Sequence, residues 1–410
     1  MSPRGIEPRI AVTGSGLISS LGFGLDFVSA LYSGATGIKL SDRIPGVTVA
    51  DIGEFNPQPW LGNKGVRVLD RGTRLLCIAA QIALIQTGLS QEGQDQTDAA
   101  QDNAGLGLIC GTMFGGVHSI AAFDWTGITD GPALVSPLDF PNTVINAPAG
   151  QAAIKHKLRG VNSTICSGLA SGLYAIHYAA EFLRFGRAKF LLAGGMEEVC
   201  DESALGFSQL GLTSPTNRIA PFGTNRDGTI AGEGAALWML ETEETALARG
   251  AQPILEVLGF GAYHDAHSML GYQVRGVGAA NAIRQALENS RIGPDKIACV
   301  IASANGSRTG DAMEALALAE VFGPRLTEIP ICAPKAALGE AMGGSGALCA
   351  AVAGIALQRG ELPPTTGFTT TEYGLKLSAR PQAITGEHAL INAFGCDGNN
   401  SSLVIRIWKN

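Results

Sequence analysis

Thr164-Ile165-Cys166-Ser167-Gly168-Leu169-Ala170-Ser171-Gly172 sets one cysteine between an extended run and a helical one. Val161 to Ile165 reads as β-prone, and Leu169, Leu173, Ile176, Ala180 and Leu183 recur at three- and four-residue spacing, the mark of an amphipathic helix. Gly186 stops that helix, and Phe190-Leu191-Leu192-Ala193-Gly194-Gly195 reads as the next buried strand. A thiol at such a strand-to-helix turn lies at a helix N-terminus. Unpaired backbone N–H groups there favour the thiolate and can hold a developing oxyanion. The same pattern also admits a cysteine that packs as a small hydrophobe.

Outward from this elbow, buried strands alternate with amphipathic helices. Arg9 to Gly14 reads as an opening strand, Leu25 to Tyr32 and Thr73 to Gln86 as helices, and Gly105 to Gly111 as a strand. Between the last two, Ser90 to Asn103 is rich in Gln and Asp and reads as a solvated loop. Ala235 to Leu240 (strand) and Glu243 to Arg249 (helix) follow the elbow. Near residue 255 the pattern restarts, with Ala279 to Asn289 helical, Ile297 to Ala302 a strand, Asp311 to Phe322 helical and Ile329 to Ala333 a strand. Gly344 to Arg359 is a small-residue helix that mirrors the one after Cys166. The alternation predicts an α/β protein of two similar halves, residues 1–254 and 255–410, sharing one core.

Composition narrows the function classes. The chain has 410 residues, 46% hydrophobic and 16% charged, enough for two sizeable core units. A net charge of -7 gives no reason to expect nucleic acid or an anionic membrane as partner. The longest apolar stretch, Ala347 to Leu357, is too short to span a bilayer, and Met1 to Gly5 has no apolar signal core. Eight cysteines lie scattered in apolar stretches without a C-x-x-C pair, which predicts a reducing cytoplasm and no zinc site. Neither a metal nor a cofactor is expected.

Five segments, in order and across essentially the whole chain, resemble the β-ketoacyl-ACP synthase family in its KAS I/II-like branch of the thiolase fold. They are Val12-Thr13-Gly14-Ser15-Gly16, the Cys166 elbow, Asn225-Arg226-Asp227-Gly228 with Gly232-Glu233-Gly234, Lys335-Ala336-Ala337-Leu338-Gly339 with Gly343 and Gly346, and Asn392-Ala393-Phe394-Gly395. The resemblance implies two βαβαβ-type halves in a five-layer α-β-α-β-α core, with Cys166 as the acyl-accepting thiol. In that family two histidines donate hydrogen bonds to the malonyl thioester oxygen while it loses CO₂. Here the first motif reads Ala304-Asn305-Gly306-Ser307 and the second Gly339-Glu340, and none of the six histidines falls at either place.

An amide can still donate, but an ionised Glu340 only accepts. One lost oxyanion donor costs about 2.7–4 kcal/mol, roughly a hundred- to a thousand-fold in rate. Lys335, five residues before Glu340, favours its carboxylate, and an ion pair between the two is expected. The family's gating phenylalanine is also replaced: the segment runs Phe394-Gly395-Cys396-Asp397-Gly398. Phe114, in Gly111-Thr112-Met113-Phe114-Gly115-Gly116, matches the acyl-pocket floor, where bulk limits chain length. Asp311 and Glu314 read as structural.

Lys64, Arg67, Arg71 and Arg74 recur at three, four and three residues and would form one basic stripe on a helix, which reads as a solvated face or, as the resemblance implies, as a docking patch for an acidic carrier protein. Two readings follow. One is a subunit similar to the chain-length factors of type II polyketide synthases, which pairs with an active paralogous ketosynthase in a heterodimer and shapes the shared cavity. The other is a working acyltransferase or atypical synthase, paired with a second copy of itself, that uses Cys166 on acyl carrier protein thioesters, with Asn305 as donor. The retained cysteine favours the second, and Glu340 the first.

Overall fold

The computed structural model describes residues 7–90 and 105–409. The start of the chain, Met1 to Gly5, and all but the first residue of the Gln- and Asp-rich loop lie outside the described residues. Ten strands make one sheet: β1 Ile10–Ser19, β2 Leu106–Gly111, β3 Asn162–Ile165, β4 Phe190–Glu197, β5 Gly234–Thr242, β6 Leu255–His264, β7 Ile297–Ile301, β8 Ile331–Cys332, β9 His388–Phe394 and β10 Asn399–Ile407. Their spatial order is β8-β7-β9-β10-β6-β1-β5-β4-β2-β3.

Read outward from the middle, β1-β5-β4-β2-β3 and β6-β10-β9-β7-β8 are the same order, five strands apart in sequence. Orientations repeat as well. β1–β5 and β5–β4 are antiparallel while β4–β2 and β2–β3 are parallel, and the second set matches pair for pair. The halves meet in a short antiparallel pairing from Ile10↔Val257 to Val12↔Leu255.

The principal helices are α1 Arg71–Gln86, α2 Ser171–Arg184, α3 Asp201–Gln209, α4 Val277–Ser290, α5 Arg308–Phe322 and α6 Met342–Arg359. Helix α1 covers β1 and β5 on one outer face, and α4 covers β6 and β10 on the other. Between the two half-sheets lie α2, against β2 and β4, and α6, against β4, β5 and β9, the two helices touching each other. These are the five α-β-α-β-α layers, and the fold is the thiolase fold.

Small residues allow this closeness. A Cβ at Gly172 of α2 would sit 2.7 Å from the Ala347 backbone nitrogen of α6, so a larger residue would push the inner helices apart. Likewise β1 runs past Gly14 to Ser19, further than its sequence suggests. A Cβ at Gly16 would come within 2.0 Å of the Ala79 carbonyl, so glycine here lets α1 lie on the strand instead of breaking it.

The basic stripe is not formed as expected. Gly62 and Gly65 take positive φ (64° and 77°), leaving Lys64 in a loop and Arg67 in a single turn, Val66–Val68. Helix α1 begins only at Arg71, where the Asp70 side chain accepts the Thr73 N–H at 2.8 Å. Arg71 turns inward to ion-pair with buried Glu233 and to donate to the Gly53 carbonyl at 2.8 Å. Arg74 is half-buried, so only Lys64 and Arg67 remain exposed.

Candidate active site

The elbow takes its shape from backbone constraints. Gly168 has φ +55°, and a Cβ there would sit 1.7 Å from an Asp397 carboxylate oxygen, so only glycine lets the C-terminal loop close on this turn. The Ser171 hydroxyl accepts the Ser167 N–H (2.9 Å) and donates to the Gly168 carbonyl (2.7 Å), locking the turn into α2. Cys166 is exposed, with Sγ 3.4 Å from the Met113 carbonyl oxygen. The expectation of an acidified thiol is not met. Partial burial and the charges of Glu197 and Asp397 push its pKa up, against a weaker pull from the Gly168 backbone. Glu197 itself lies in a box of four donors: Thr112 Oγ1 (2.9 Å) and the backbone N–H groups of Met113 (2.6 Å), Phe114 (3.1 Å) and Gly343 (3.1 Å). Burial nevertheless raises its pKa to about 7.

Asn305, Lys335 and Glu340 come together in one buried cluster. Glu340, fully buried, accepts from Lys335 Nζ (2.7 Å) and Asn305 Nδ2 (2.8 Å) on one oxygen and from the Ser345 hydroxyl (2.6 Å) on the other. The expected ion pair is therefore present. Burial alone would lower the Lys335 pKa, but Glu340 and its neighbours outweigh that and hold the ammonium above its ordinary value. The Asn305 backbone is pinned by Asp311, whose carboxylate accepts the N–H groups of Asn305 (3.1 Å), Gly306 (3.2 Å) and Phe222 (2.7 Å). Glu314 holds Ser303 N (2.9 Å) and Asn392 Nδ2 (2.9 Å). Glu340 does not line the neighbouring cavity, so its carboxylate acts on the site by holding the Asn305 amide and not by facing a substrate charge.

That cavity has a volume of about 320 Å³ and is mostly apolar. Met113, Phe114, Leu169 and Phe207 are among its apolar lining, and Glu202, Asp227, Tyr272, Asn305, Arg308 and Cys396 are among the rest. Phe114 thus stands in the cavity wall. Cys396 is half-buried, its pKa pushed up to about 11 by burial and the charges of Asp397 and Glu340. Phe394 is buried and lines a second, small pocket together with Asn305, Asp311 and Glu314, and is not in the lining of the larger cavity. Cys166 is absent from the cavity lining, and its Sγ touches the carbonyl of Met113, which does line it.

Tyr272 was not legible as a site residue, because a single tyrosine in the 265–276 loop carries no motif. Its ring packs on Gly310, where a Cβ would sit 2.8 Å from the ring atoms. Burial raises its pKa well above the ordinary phenol value. Among the described residues no group of three or more His, Cys, Asp or Glu side chains is placed to hold a metal ion.

The chain is similar along nearly its full length to condensing enzymes. It is 30% identical to 3-oxoacyl-[acyl-carrier-protein] synthase 2 of Rhizobium meliloti, over 97% of this chain and 98% of that protein. It is 32% identical to the tetracenomycin polyketide synthase ketoacyl synthase beta subunit of Streptomyces glaucescens, over 97% and 98%. Among solved structures, the ishigamide ketosynthase/chain length factor superposes with a TM-score of 0.88 at 27% identity, covering 98% of this chain and 100% of that one. Residues 7–246 match the family described as the beta-ketoacyl synthase N-terminal domain, and residues 254–369 match its C-terminal domain. The repeated strand order, the cysteine elbow and these matches together place the chain in the β-ketoacyl synthase family.

Proposed function

We propose that this chain is a condensation-silent subunit of the chain-length-factor type, which pairs with an active β-ketoacyl synthase and shapes the cavity that receives a carrier-bound acyl or polyketide chain. The observation that carries the reading is the Asn305 Nδ2–Glu340 Oε2 hydrogen bond of 2.8 Å. An enolate oxygen needs donors that are free in the transition state, and one of this amide's two N–H groups is already held by a carboxylate. The absence of Cys166 from the cavity lining supports the same reading. So does the likeness to the Streptomyces glaucescens beta subunit and to the ishigamide ketosynthase/chain length factor.

A partner subunit also suits the surface. Helix Val117–Thr129 has no buried residue and exposes Trp125 and Ile128, with Leu134, Leu138 and Phe140 exposed just beyond. Apolar surface of that extent favours an interface. We assign the halves 1–254 and 255–410 as the two repeat units of this subunit, and Lys64 and Arg67 as what remains of the basic carrier-docking surface.

The test is reconstitution with a ketosynthase that keeps both histidines. The pair, and not this chain alone, elongates a malonyl-derived chain. Elongation by this chain alone would exclude the silent-partner role. A second reading, an acyltransferase using Cys166, is favoured by the exposed thiol at the elbow. Incubation with acyl-loaded carrier protein and intact-mass measurement separates the two, because only the second moves the acyl group from the carrier's thioester to Cys166 and releases the carrier thiol.

A further inference from the structure

The turn Thr112-Met113-Phe114 lies between the cysteine elbow and Glu197, and it is held from three sides. The Thr112 N–H donates to the Ile165 carbonyl at 3.0 Å, which ties the turn to the strand that leads into Cys166. The N–H groups of Met113 (2.6 Å) and Phe114 (3.1 Å) donate to the Glu197 carboxylate, and so does the Thr112 hydroxyl (2.9 Å). On a third side a Cβ at Gly343 would sit 2.3 Å from the Met113 nitrogen, so the first turn of α6 leaves the segment no room to back away.

One peptide group links the thiol to the carboxylate. The Met113 carbonyl and the Phe114 N–H belong to the same planar amide. Its oxygen accepts from Cys166 Sγ at 3.4 Å, and its N–H donates to Glu197 Oε1 at 3.1 Å. Hydrogen bonds joined through one amide polarise each other, and a charge-assisted bond at one end strengthens the bond at the other. An ionised Glu197 therefore makes the Met113 carbonyl a better acceptor for the thiol proton. A bond that only the S–H form can make disfavours the thiolate.

We infer that Glu197 is a positioning residue for Cys166: through the Met113–Phe114 amide it holds the elbow thiol in its protonated, weakly nucleophilic form. To accept an acyl group the sulfur must give up this hydrogen bond as well as its proton, a hindrance that its exposed position does not reveal. This hold on the thiol exists whether or not the chain is a silent partner. Among the described residues the titratable groups that face Glu197 are Cys166, Cys110 and the adjacent Glu198, and Asp397 is the other charge facing Cys166.

The S–H stretch of Cys166, isolated as the Raman difference between the wild type and Cys166→Ala, reads this bond directly. Cys166 stays a thiol through neutral pH because its pKa is held above the ordinary value, while Glu197 titrates at about 7. From about pH 6 to about pH 8 the wild-type band is expected to move to lower wavenumber, because the newly charged carboxylate tightens the S–H bond to Met113. Glu197→Gln should abolish the movement. Glu198→Gln and Asp397→Asn remove neighbouring charges but leave the linking amide in place, and both should keep it. A band that does not move in the wild type, one that still moves in Glu197→Gln, or one that stops moving in Glu198→Gln or Asp397→Asn would each overturn the proposal. Should Glu197→Gln fail to fold, the wild type and the other two variants still decide. Failure of the silent-partner reading shows instead as elongation without a partner, so the two failures are distinguishable.

Discussion

Asn305 Nδ2 lies 2.8 Å from Glu340 Oε2, inside a cluster that Lys335 and Ser345 complete. A carboxylate with three donors is a stable resting place for an amide proton, so a substrate oxygen must compete with it for that proton. The geometry refines the expectation drawn from sequence. On the proposed reading Glu340 opposes catalysis by holding the donor, not by repelling an enolate, because it is fully buried and does not line the cavity.

The first prediction concerns what that pair contributes to folding. Glu340→Gln leaves the Lys335 ammonium buried without its counter-charge and is expected to destabilise the protein by about 3–5 kcal/mol. The double variant Lys335→Met/Glu340→Gln removes both charges and should lose clearly less. Urea unfolding of the three proteins checks this. Equal losses in single and double variants would show that the ion pair does not matter.

The pair was legible because lysine and glutamate five residues apart, flanking Gly339, carry opposite charge in an apolar stretch. The strand–helix rhythm restarts in the sequence near residue 255, and β6 begins at Leu255. What failed was the Lys64–Arg74 stripe. Charge spacing alone does not reveal that Gly62 and Gly65 hold positive φ, nor that buried Glu233 draws Arg71 inward. Tyr272 failed for a different reason. Its place in the cavity lining goes with packing on Gly310, and no local pattern encodes a contact between distant segments.

Stability should fall as pH rises through neutrality. Burial lifts Glu197 and Glu314 to about 7 and Glu198 to about 8, with Asp70 adding to the last. Raised carboxyl values mean that the folded state binds protons the unfolded state has released. Their stabilisation is complete below the unfolded value and is lost as pH rises through 7 and 8. His156, lowered to about 4 by burial, acts in the opposite sense, but only below its unfolded value near 6.5. The melting temperature should therefore drop between pH 6.5 and 8.5, and Glu198→Gln should flatten that drop. A melting temperature that rises across this window would contradict the assignment.

Cys166 should alkylate slowly. Its raised pKa places the thiolate fraction at pH 7 below that of a free cysteine, and removing the nearby negative charge with Asp397→Asn should shift the rate-against-pH curve to lower pH. Iodoacetamide labelling followed by mass spectrometry gives the curve. An alkylation midpoint below that of a free thiol would mean that the helix terminus dominates after all.

Phe114 should govern chain length. Its ring stands in the cavity wall with Met113, Leu169 and Phe207. Phe114→Ala, assayed with a competent partner synthase, is expected to lengthen the product by one or more extender units, read by mass spectrometry. Unchanged product length together with an intact fold would assign the ring to packing alone.

The central claim is that the donor needed for decarboxylation is engaged, and CO₂ release from malonyl carrier protein by the isolated chain measures it most directly. Release at the background rate is predicted, with a gain of at least roughly a hundredfold when Asn305→His and Glu340→His are combined, the scale of one restored oxyanion donor. Release by the unaltered chain at a rate matching an active synthase would contradict it.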